Sequence, residues 1–293
     1  MTAVEHVFPE RPRLAELRRR VAAMEGRLTP EAQLAPAPAI AATRQGPARL
    51  RTGMEAFDRL FAAPGLARGA LHEITAAETR QAGALSGFAA ALAAQLAERH
   101  DGDLLWVVDP QVAREAGVPF ADGLAAFGLD PARILLVTPR RIEDCLWALE
   151  EGARSSALFA VIGEIHGAPK ALDLTATRRL SLKVRASGTT LFLLRHASRD
   201  EPTAALTRFC VSPRQSRPAQ GGRAGRPGLV GAPAWRVRLE KNRDGRPGEV
   251  ELEWDHVRRS FTAPADLEPL VSGAFDRPDR AAGGGEVVAF ARR

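Results

Sequence analysis

The feature that most constrains this fold is a series of continuous apolar runs, each separated from the next by a stretch with helical periodicity. The runs occupy residues 104–108, 134–137, 158–162 and 191–194. Apolar residues at helical spacing fill the intervening stretches 120–127, 142–153 and 172–186. Runs that are apolar on both faces and joined by helices indicate a parallel sheet covered on both sides. We therefore predict an α/β fold.

One further strand and helix precede these runs and enclose a distinctive loop. A strand is predicted over 70–75, a loop over 76–82, and a helix whose apolar residues recur from 85 to 96. A phosphate-binding P-loop has this layout: loop amides and the helix N-terminus hold the phosphates, and a lysine reaches the terminal ones. Residues 69–96 thus have the frame of a nucleotide site.

The residues inside that frame do not supply its chemistry. The P-loop pattern G-x-x-x-x-G-K-[ST] would occupy residues 76–83. Its two glycines, its lysine and its hydroxyl residue are replaced, in that order, by Ala76, Gln81, Ala82 and Gly83. None of the chain's lysines follows a glycine; they are Lys170, Lys183 and Lys241. We predict a degenerate P-loop that binds no nucleotide cofactor.

The C-terminal part follows a different pattern. Alternation over 207–211, 235–239 and 250–254 predicts antiparallel strands that close one edge of the sheet, with a hairpin connection at 242–248. Between the first two of these strands, residues 212–234 are rich in Gly, Pro and Arg, which predicts a long loop. A tail over 257–293 contains one short helix at 267–271 and is otherwise expected to be partly disordered.

The N-terminal part predicts a separate helical arm over 1–28. A seam of apolar residues spaced three and four apart runs along it: Leu14, Leu17, Val21, Met24 and Leu28. A linker rich in Pro and Ala, residues 29–48, connects the arm to a main domain over 49–256. We expect the seam to bind another protein; the alternative is that it folds back on its own domain.

The charge and the cysteine content of the chain indicate what kind of partner and which cellular compartment to expect. The formal net charge is +6, which favours a nucleic-acid partner, although an Ala- and Arg-rich composition alone would also make the chain basic. Cys145 and Cys210 are predicted to be buried free thiols in a reducing cytosol. Residues 1–20 lack a secretory signal, and the uncharged stretch 81–97 is too short to span a bilayer. The histidines and cysteines have no metal-ligand spacing, so no metal site is predicted.

Several segments together resemble the RecA-like family and, within it, the ImuA family of damage-inducible mutagenesis proteins. The RecA-like lead-in is LRTGMEAFDRLF at 50–61 followed by GLARGALHEI at 65–74. The ImuA-like segments, in order, are LAELRRRVAAMEG, FGLDPARILLV, LWALEE, LDLTATRRLSL and WRVRLEKNRDGRPGEVELEW. The resemblance covers roughly residues 14–254 and implies a RecA-like, mostly parallel sheet.

The same resemblance implies which acidic residues would serve catalysis. Asp109 stands at the end of the strand after the P-loop helix, but Gln111 replaces the glutamate that would activate water, and an amide cannot accept the proton. Gly163 and Glu164 stand where a magnesium-binding aspartate is expected. Glu164 either contacts a cation or, as the simpler alternative, is a solvated acid at a strand tip. The resemblance therefore implies a protein that is not an enzyme.

A basic segment inside the predicted loop is the candidate for contact with nucleic acid. Its members, which lie in a stretch free of acidic residues, are Arg214, Arg217, Arg223 and Arg226. Arginines of this kind neutralise phosphates without reading sequence. The alternative is a solvated insertion with no ligand.

The resemblance finally implies a role and partners. The role is accessory to error-prone translesion DNA synthesis in the SOS response, in the cytoplasm and at the nucleoid when engaged. The implied partners are an ImuB-type polymerase-like protein, RecA, and a DnaE-type error-prone polymerase, together with weak, sequence-independent DNA binding. Two alternatives remain open: an SOS-regulated inhibitor of cell division, and a residual ATPase with an atypical loop.

Overall fold

A computed structural model of the chain describes residues 48–197, 201–216 and 231–264. The predicted arm, the linker up to residue 47 and the centre of the predicted loop at 217–230 lie outside the described residues. So do the residues from 265 onward, with the predicted helix at 267–271. The domain boundaries drawn from the sequence therefore stay predictions.

The described residues form strands and helices that alternate along most of the chain. The strands are β1 (Arg49–Leu50), β2 (Leu66–Ala67), β3 (Leu71–Ala76), β4 (Asp103–Val108), β5 (Ile134–Val137), β6 (Leu158–His166), β7 (Thr190–His196), β8 (Thr207–Pro213), β9 (Ala234–Asn242), β10 (Gly248–Asp255) and β11 (Ser260–Thr262). The α-helices are α1 (Glu55–Asp58), α2 (Ala82–Ala97), α3 (Pro110–Glu115), α4 (Ala121–Phe127), α5 (Ile142–Arg154) and α6 (Leu174–Ser187). Short 3₁₀ helices occupy Thr79–Gln81 and Pro131–Arg133.

The main sheet has nine strands in the order β11-β10-β9-β8-β3-β7-β6-β4-β5. From β8 to β5 every neighbouring pair is parallel. From β8 outward to β11 every pair is antiparallel, and β9 and β10 are joined by the predicted hairpin. The predicted α/β class, with a mostly parallel sheet and an antiparallel C-terminal edge, is confirmed.

Helix α2 is the centre of the core on one face of the sheet. Every residue of this helix from 88 to 96 is buried, as expected for a helix that is apolar on all sides. Its alanines let the sheet approach closely, while Phe88 packs edge-on against Trp235, with ring centroids 5.9 Å apart. This burial confirms that residues 81–97 pack against a sheet. None of the helices in the described residues is long and apolar enough to cross a membrane.

The opposite face of the sheet is covered by α5 and α6. Leu149 of α5 and Leu180 and Val184 of α6 are buried with the alternate residues Leu105 and Val107 of β4. The two helix layers explain why the central strands are apolar on both faces.

Strand β5 departs from that expectation. The run 134–137 was predicted to be buried on both faces, yet Leu135 and Leu136 are 42% and 40% exposed. The sheet order makes β5 an edge strand that pairs with β4 on one side. An edge position leaves part of each face uncovered, so the prediction of full burial is wrong here.

Strand β8 also differs from the sequence prediction. It was assigned to the antiparallel edge, but it pairs in parallel with β3 on one side and antiparallel with β9 on the other. Both faces of β8 are covered near its start, where Thr207 and Phe209 on one face and Arg208 on the other are buried. Its polar alternation is misleading because Arg208 is buried as well, with Nε donating to Glu73 at 2.9 Å.

Both cysteines are free thiols. Cys145 is buried on α5, and burial raises the pKa of its thiol to about 12. Cys210 is half-buried on β8, and the loss of water around it likewise raises its pKa. The prediction of free thiols is confirmed, while that of full burial holds for Cys145 alone of the two.

His72 is a buried polar residue that links three strands. Its ring lies on β3, where Nε2 donates to the carbonyl oxygen of Ala67 in β2 at 2.8 Å. The Thr207 hydroxyl of β8 donates to Nδ1 at 2.7 Å. These two bonds use both ring nitrogens of a neutral imidazole. Burial lowers the pKa of His72 to about 4.

We predict that His72 makes the protein less stable in acid. Below about pH 6.5 the unfolded chain binds a proton here that the folded chain does not, so stability falls as the pH drops. The loss should be about 2–3 kcal/mol between pH 7.5 and 4.5. Urea unfolding at both pH values measures it. The variant His72→Gln has nothing to protonate and should lose less, whereas equal losses in both proteins would contradict the prediction.

Candidate functional site

The predicted phosphate window lies where the sequence placed it, between β3 and α2. Ala76 ends the strand and is buried, and Ala82 begins the helix. Gly83 faces open space, since a Cβ built there meets no atom within 4 Å. The cation inside the window is Arg80, whose NH2 group donates to Glu78 at 3.1 Å. A phosphate at this position would therefore meet backbone amides and a cation that already has a carboxylate partner.

Gln81 stands at the N-terminal end of α2 without capping it. Its side chain accepts no hydrogen bond from the first turn of the helix. Its Oε1 atom is buried and has no hydrogen-bond partner in the described part of the chain. The second glycine of a P-loop would leave this space to the phosphate, whereas here an amide side chain fills it.

Asp109 serves as the N-cap of α3. Its Oδ1 accepts from the backbone amide of Gln111 at 2.7 Å, and its Oδ2 accepts from the amide of His166 at 3.2 Å. The side chain is buried, whereas that of Gln111 is exposed and donates to Glu115 at 3.0 Å. An Asp directly before a Pro, as at Pro110, is a helix-start signal. Helix α3 was nevertheless not predicted from the sequence.

The environment of Glu164 differs most from the one predicted from the sequence. It was placed at a strand tip, where a solvated acid was the simpler alternative, but β6 continues to His166 and Glu164 is 3% exposed. Its carboxylate accepts from Trp106 Nε1 at 2.7 Å and from Ser86 Oγ at 3.1 Å. His196 Nε2 lies 2.8 Å away. The solvated alternative is therefore wrong.

Trp106, Ser86 and His196 were not singled out from the sequence. Each comes from a different element: Trp106 lies in β4, Ser86 in α2 and His196 at the end of β7. Parallel pairing places β4 and β7 on either side of β6, and α2 packs against β6 and β7. The neighbouring Gly163 has a separate reason: a Cβ there would lie 2.6 Å from Leu149 Cδ2, so glycine permits α5 to pack closely. In the register between β6 and β7, His166 lies opposite His196. Predicting that register would have been needed to place the two histidines together.

The remaining polar groups at this edge form a second, more exposed cluster. His166 Nε2 lies 3.2 Å from Glu115 Oε2 and 3.5 Å from the Thr79 hydroxyl. Hydrogen bonding from Gln111 and the nearby His166 lower the pKa of Glu115. Among the residues that the structure describes, no group of three or more His, Cys, Asp or Glu side chains could hold a metal ion.

The arginine candidates for nucleic-acid contact are described in part. Arg214 lies just after β8, where its Nε pairs with Glu251 of β10 at 2.9 Å and its side chain is 19% exposed. The other candidates, Arg217, Arg223 and Arg226, lie outside the described residues, as do those of the arm: Leu14, Leu17, Val21, Met24 and Leu28. Their roles stay predictions.

Comparison with known proteins identifies relatives. Two curated proteins, each named Protein ImuA and belonging to Caulobacter vibrioides strains NA1000 / CB15N and ATCC 19089 / CIP 103742 / CB 15, are 32% identical to this chain over 220 residues. The match covers 71% of this chain and 84% of each relative. Among solved structures, the RadB recombinase matches with a TM-score of 0.46 and 17% identity, covering 74% of this chain and 100% of that one. No protein-family model matches the chain.

We predict that Glu164 is required for stability. Glu164→Ala leaves the indole N–H of Trp106 and the ring of His196 buried without an acceptor, at about 1–3 kcal/mol for each unsatisfied group. Ser86→Ala removes one partly exposed donor and should cost about 1 kcal/mol. Urea unfolding of both variants measures the difference. A Glu164→Ala protein as stable as the wild type would contradict a structural role for this carboxylate.

Proposed function

The chain belongs to the ImuA family, and from that premise we propose that it is a non-catalytic, RecA-like accessory protein in damage-induced, error-prone translesion DNA synthesis. It acts in the cytoplasm, and at the nucleoid when engaged, through contacts with other proteins. The partners we infer are an ImuB-type polymerase-like protein, RecA and a DnaE-type error-prone polymerase. Weak, sequence-independent DNA binding through the arginine segment is a further part of the proposal.

The non-catalytic part of the proposal rests on one observation. The acids at the C-terminal ends of β4 and β6 already bind other groups of the protein. Both oxygens of Asp109 accept backbone amides. Glu164 accepts from Trp106 and Ser86 and lies against His196. Phosphoryl transfer depends on holding the phosphates and the metal that neutralises them. Carboxylates that hold strands and a helix together are poorly placed for that task, which supports a binding role.

Exposed apolar side chains support a function through protein contacts. Phe120 and Val118, before α4, are 69% and 50% exposed, and Leu135 and Leu136 are exposed on the edge strand β5. Large apolar side chains that stay exposed on a folded domain are candidates for contacts with other proteins.

We predict that the protein does not bind ATP with Mg²⁺ in the micromolar range. The window from 76 to 83 contains no lysine, and no hydroxyl stands at the position of a magnesium ligand. Isothermal titration calorimetry with ATP and Mg²⁺ should give no saturable heat, while a RecA-like ATPase with an intact P-loop gives a stoichiometric isotherm. A one-to-one isotherm with a micromolar Kd for this chain would overturn the non-catalytic assignment.

In cells, we predict that deleting the gene lowers the frequency of damage-induced mutation, and that the wild-type gene restores it. The variant Asp109→Asn should also restore it, because asparagine caps a helix about as well as aspartate and lacks only the acceptor for the His166 amide and the charge that a metal site requires. Mutation frequency after ultraviolet irradiation is the readout. Filamentation on overproduction, with no change in mutation frequency, would favour a division inhibitor instead.

A further inference from the structure

Helices α5 and α6 form one continuous outer surface. They pack side by side on the sheet, and Glu150 of α5 binds two cations of α6. Arg179 Nε donates to Glu150 Oε1 at 3.0 Å, and Lys183 Nζ donates to Oε2. Residues three or four positions from these groups, on either helix, are their neighbours on the helix surface. The exposed side chains of the two helices therefore belong to one patch, which we call the α5–α6 face.

Large apolar side chains stand exposed on this face. Trp147 of α5 is 65% exposed, and Leu182 and Leu174 of α6 are 59% and 50% exposed. The other tryptophans of the chain, Trp106, Trp235 and Trp254, are at most 2% exposed. Tryptophan is enriched among the residues that dominate protein interfaces, so Trp147 is the natural anchor of a contact.

The two helices differ in charge: α5 is mainly acidic, with Arg154 in its last turn, whereas α6 is basic. Trp147 is surrounded at helical spacing by Glu143, Asp144 and Glu151. Glu143 and Asp144 lie near Arg141, and Glu151 pairs with Arg154, but these pairs are exposed and such surface pairs contribute little, so the acids stay accessible to a partner. The cations of α6, which has no acidic residue, are Arg178, Arg179, Lys183 and Arg185. Within the described part of the chain, Arg178 and Arg185 have no ion-pair partner, although both are exposed. One half of the face is thus acidic around a tryptophan, and the other half is basic around leucines.

We propose that the α5–α6 face is the interface of a homodimer. A two-fold axis that runs between the helices and along them places α5 of each copy over α6 of the other. Trp147 then packs against Leu174 and Leu182 of the second copy, and Arg178 and Arg185 meet its acidic residues. The same patch serves both copies, as a two-fold interface requires.

Charge complementarity selects a second copy over other occupants. A nucleic acid would be attracted by α6 but repelled by the acidic residues around Trp147. An acidic partner helix would match α6 and leave Trp147 exposed. A second copy is a partner that satisfies both halves at once, and opposite charges placed across an interface favour one orientation over others.

The first test measures the association of the full chain by sedimentation velocity over a range of concentrations. The wild type should convert from monomer to dimer, and its tryptophan emission should shift to the blue as Trp147 leaves water. The variant Trp147→Ala should keep its circular dichroism and melting temperature but associate at least tenfold more weakly. A wild type that stays monomeric at all concentrations, or a Trp147→Ala protein that dimerises as tightly, would overturn the proposal.

The second test uses charge reversal. One variant carries Glu143→Arg and Glu151→Arg, so both of its helices are basic. The other carries Arg178→Glu and Arg185→Glu, so its α6 loses its net positive charge and presents two acids beside the acidic α5. Each alone should be monomeric, and a mixture of the two should form a heterodimer that 1 M salt weakens.

A matched control for the second variant carries Arg51→Glu and Arg99→Glu, the same change in charge as Arg178→Glu and Arg185→Glu but at exposed sites away from this face, and should dimerise like the wild type. Restored association in the mixture cannot come from misfolding, because both components must be folded to pair. If the mixture stays monomeric, or if the separate variants still dimerise, the interface lies elsewhere and the proposal fails.

Discussion

The parallel core depends on a buried ion cluster around Glu73 in the middle of β3. Glu73 is 1% exposed; Arg195 NH1 of β7 donates to it at 3.1 Å and Arg208 Nε of β8 at 2.9 Å. Arg195 also donates to Glu201 at 2.8 Å. Removing one partner of such a buried pair costs about 3–5 kcal/mol, because the other charges stay buried without compensation. The cluster joins the three central strands, and it therefore fixes the position of the loop and helix that follow β3.

The sequence predicts the strands of the parallel sheet better than it predicts their pairing. β4, β6 and β7 contain continuous apolar runs, and burial between two helix layers is a sufficient reason for that pattern. β3, which contains His72 and Glu73, is not such a run. An apolar run does not indicate where its strand lies within the sheet, so β5 could not be recognised as an edge strand. The parallel pairing of β8 with β3 was not predicted, because Arg208 looks like a surface residue until its partner Glu73, far away in the sequence, is known.

The candidate site shows the same limit. The strand, loop and helix around residues 76–83 were predictable because they are consecutive in sequence. That this window contains no lysine can likewise be read directly from the sequence. The environment of Glu164 was not predictable, since its donors Trp106, Ser86 and His196 come from three separate elements. A carboxylate at a strand end has the same sequence signature whether it binds a metal, water or an indole. Tertiary pairing decides among these outcomes.

The hydrogen bonding at the ends of the parallel strands and the α5–α6 face are physically related. Acids at the ends of the parallel strands accept hydrogen bonds from Trp106, Ser86 and backbone amides and so belong to the bonded core, whereas a site that changes its ligands must keep polar groups free. The helices α5 and α6 pack on this core, and Glu150 of α5 is hydrogen-bonded to Arg179 and Lys183 of α6. Rigid helices that present Trp147 lose little conformational entropy when they bind. The bonded strand ends and the exposed α5–α6 face are thus consistent with the proposed role as a binding protein.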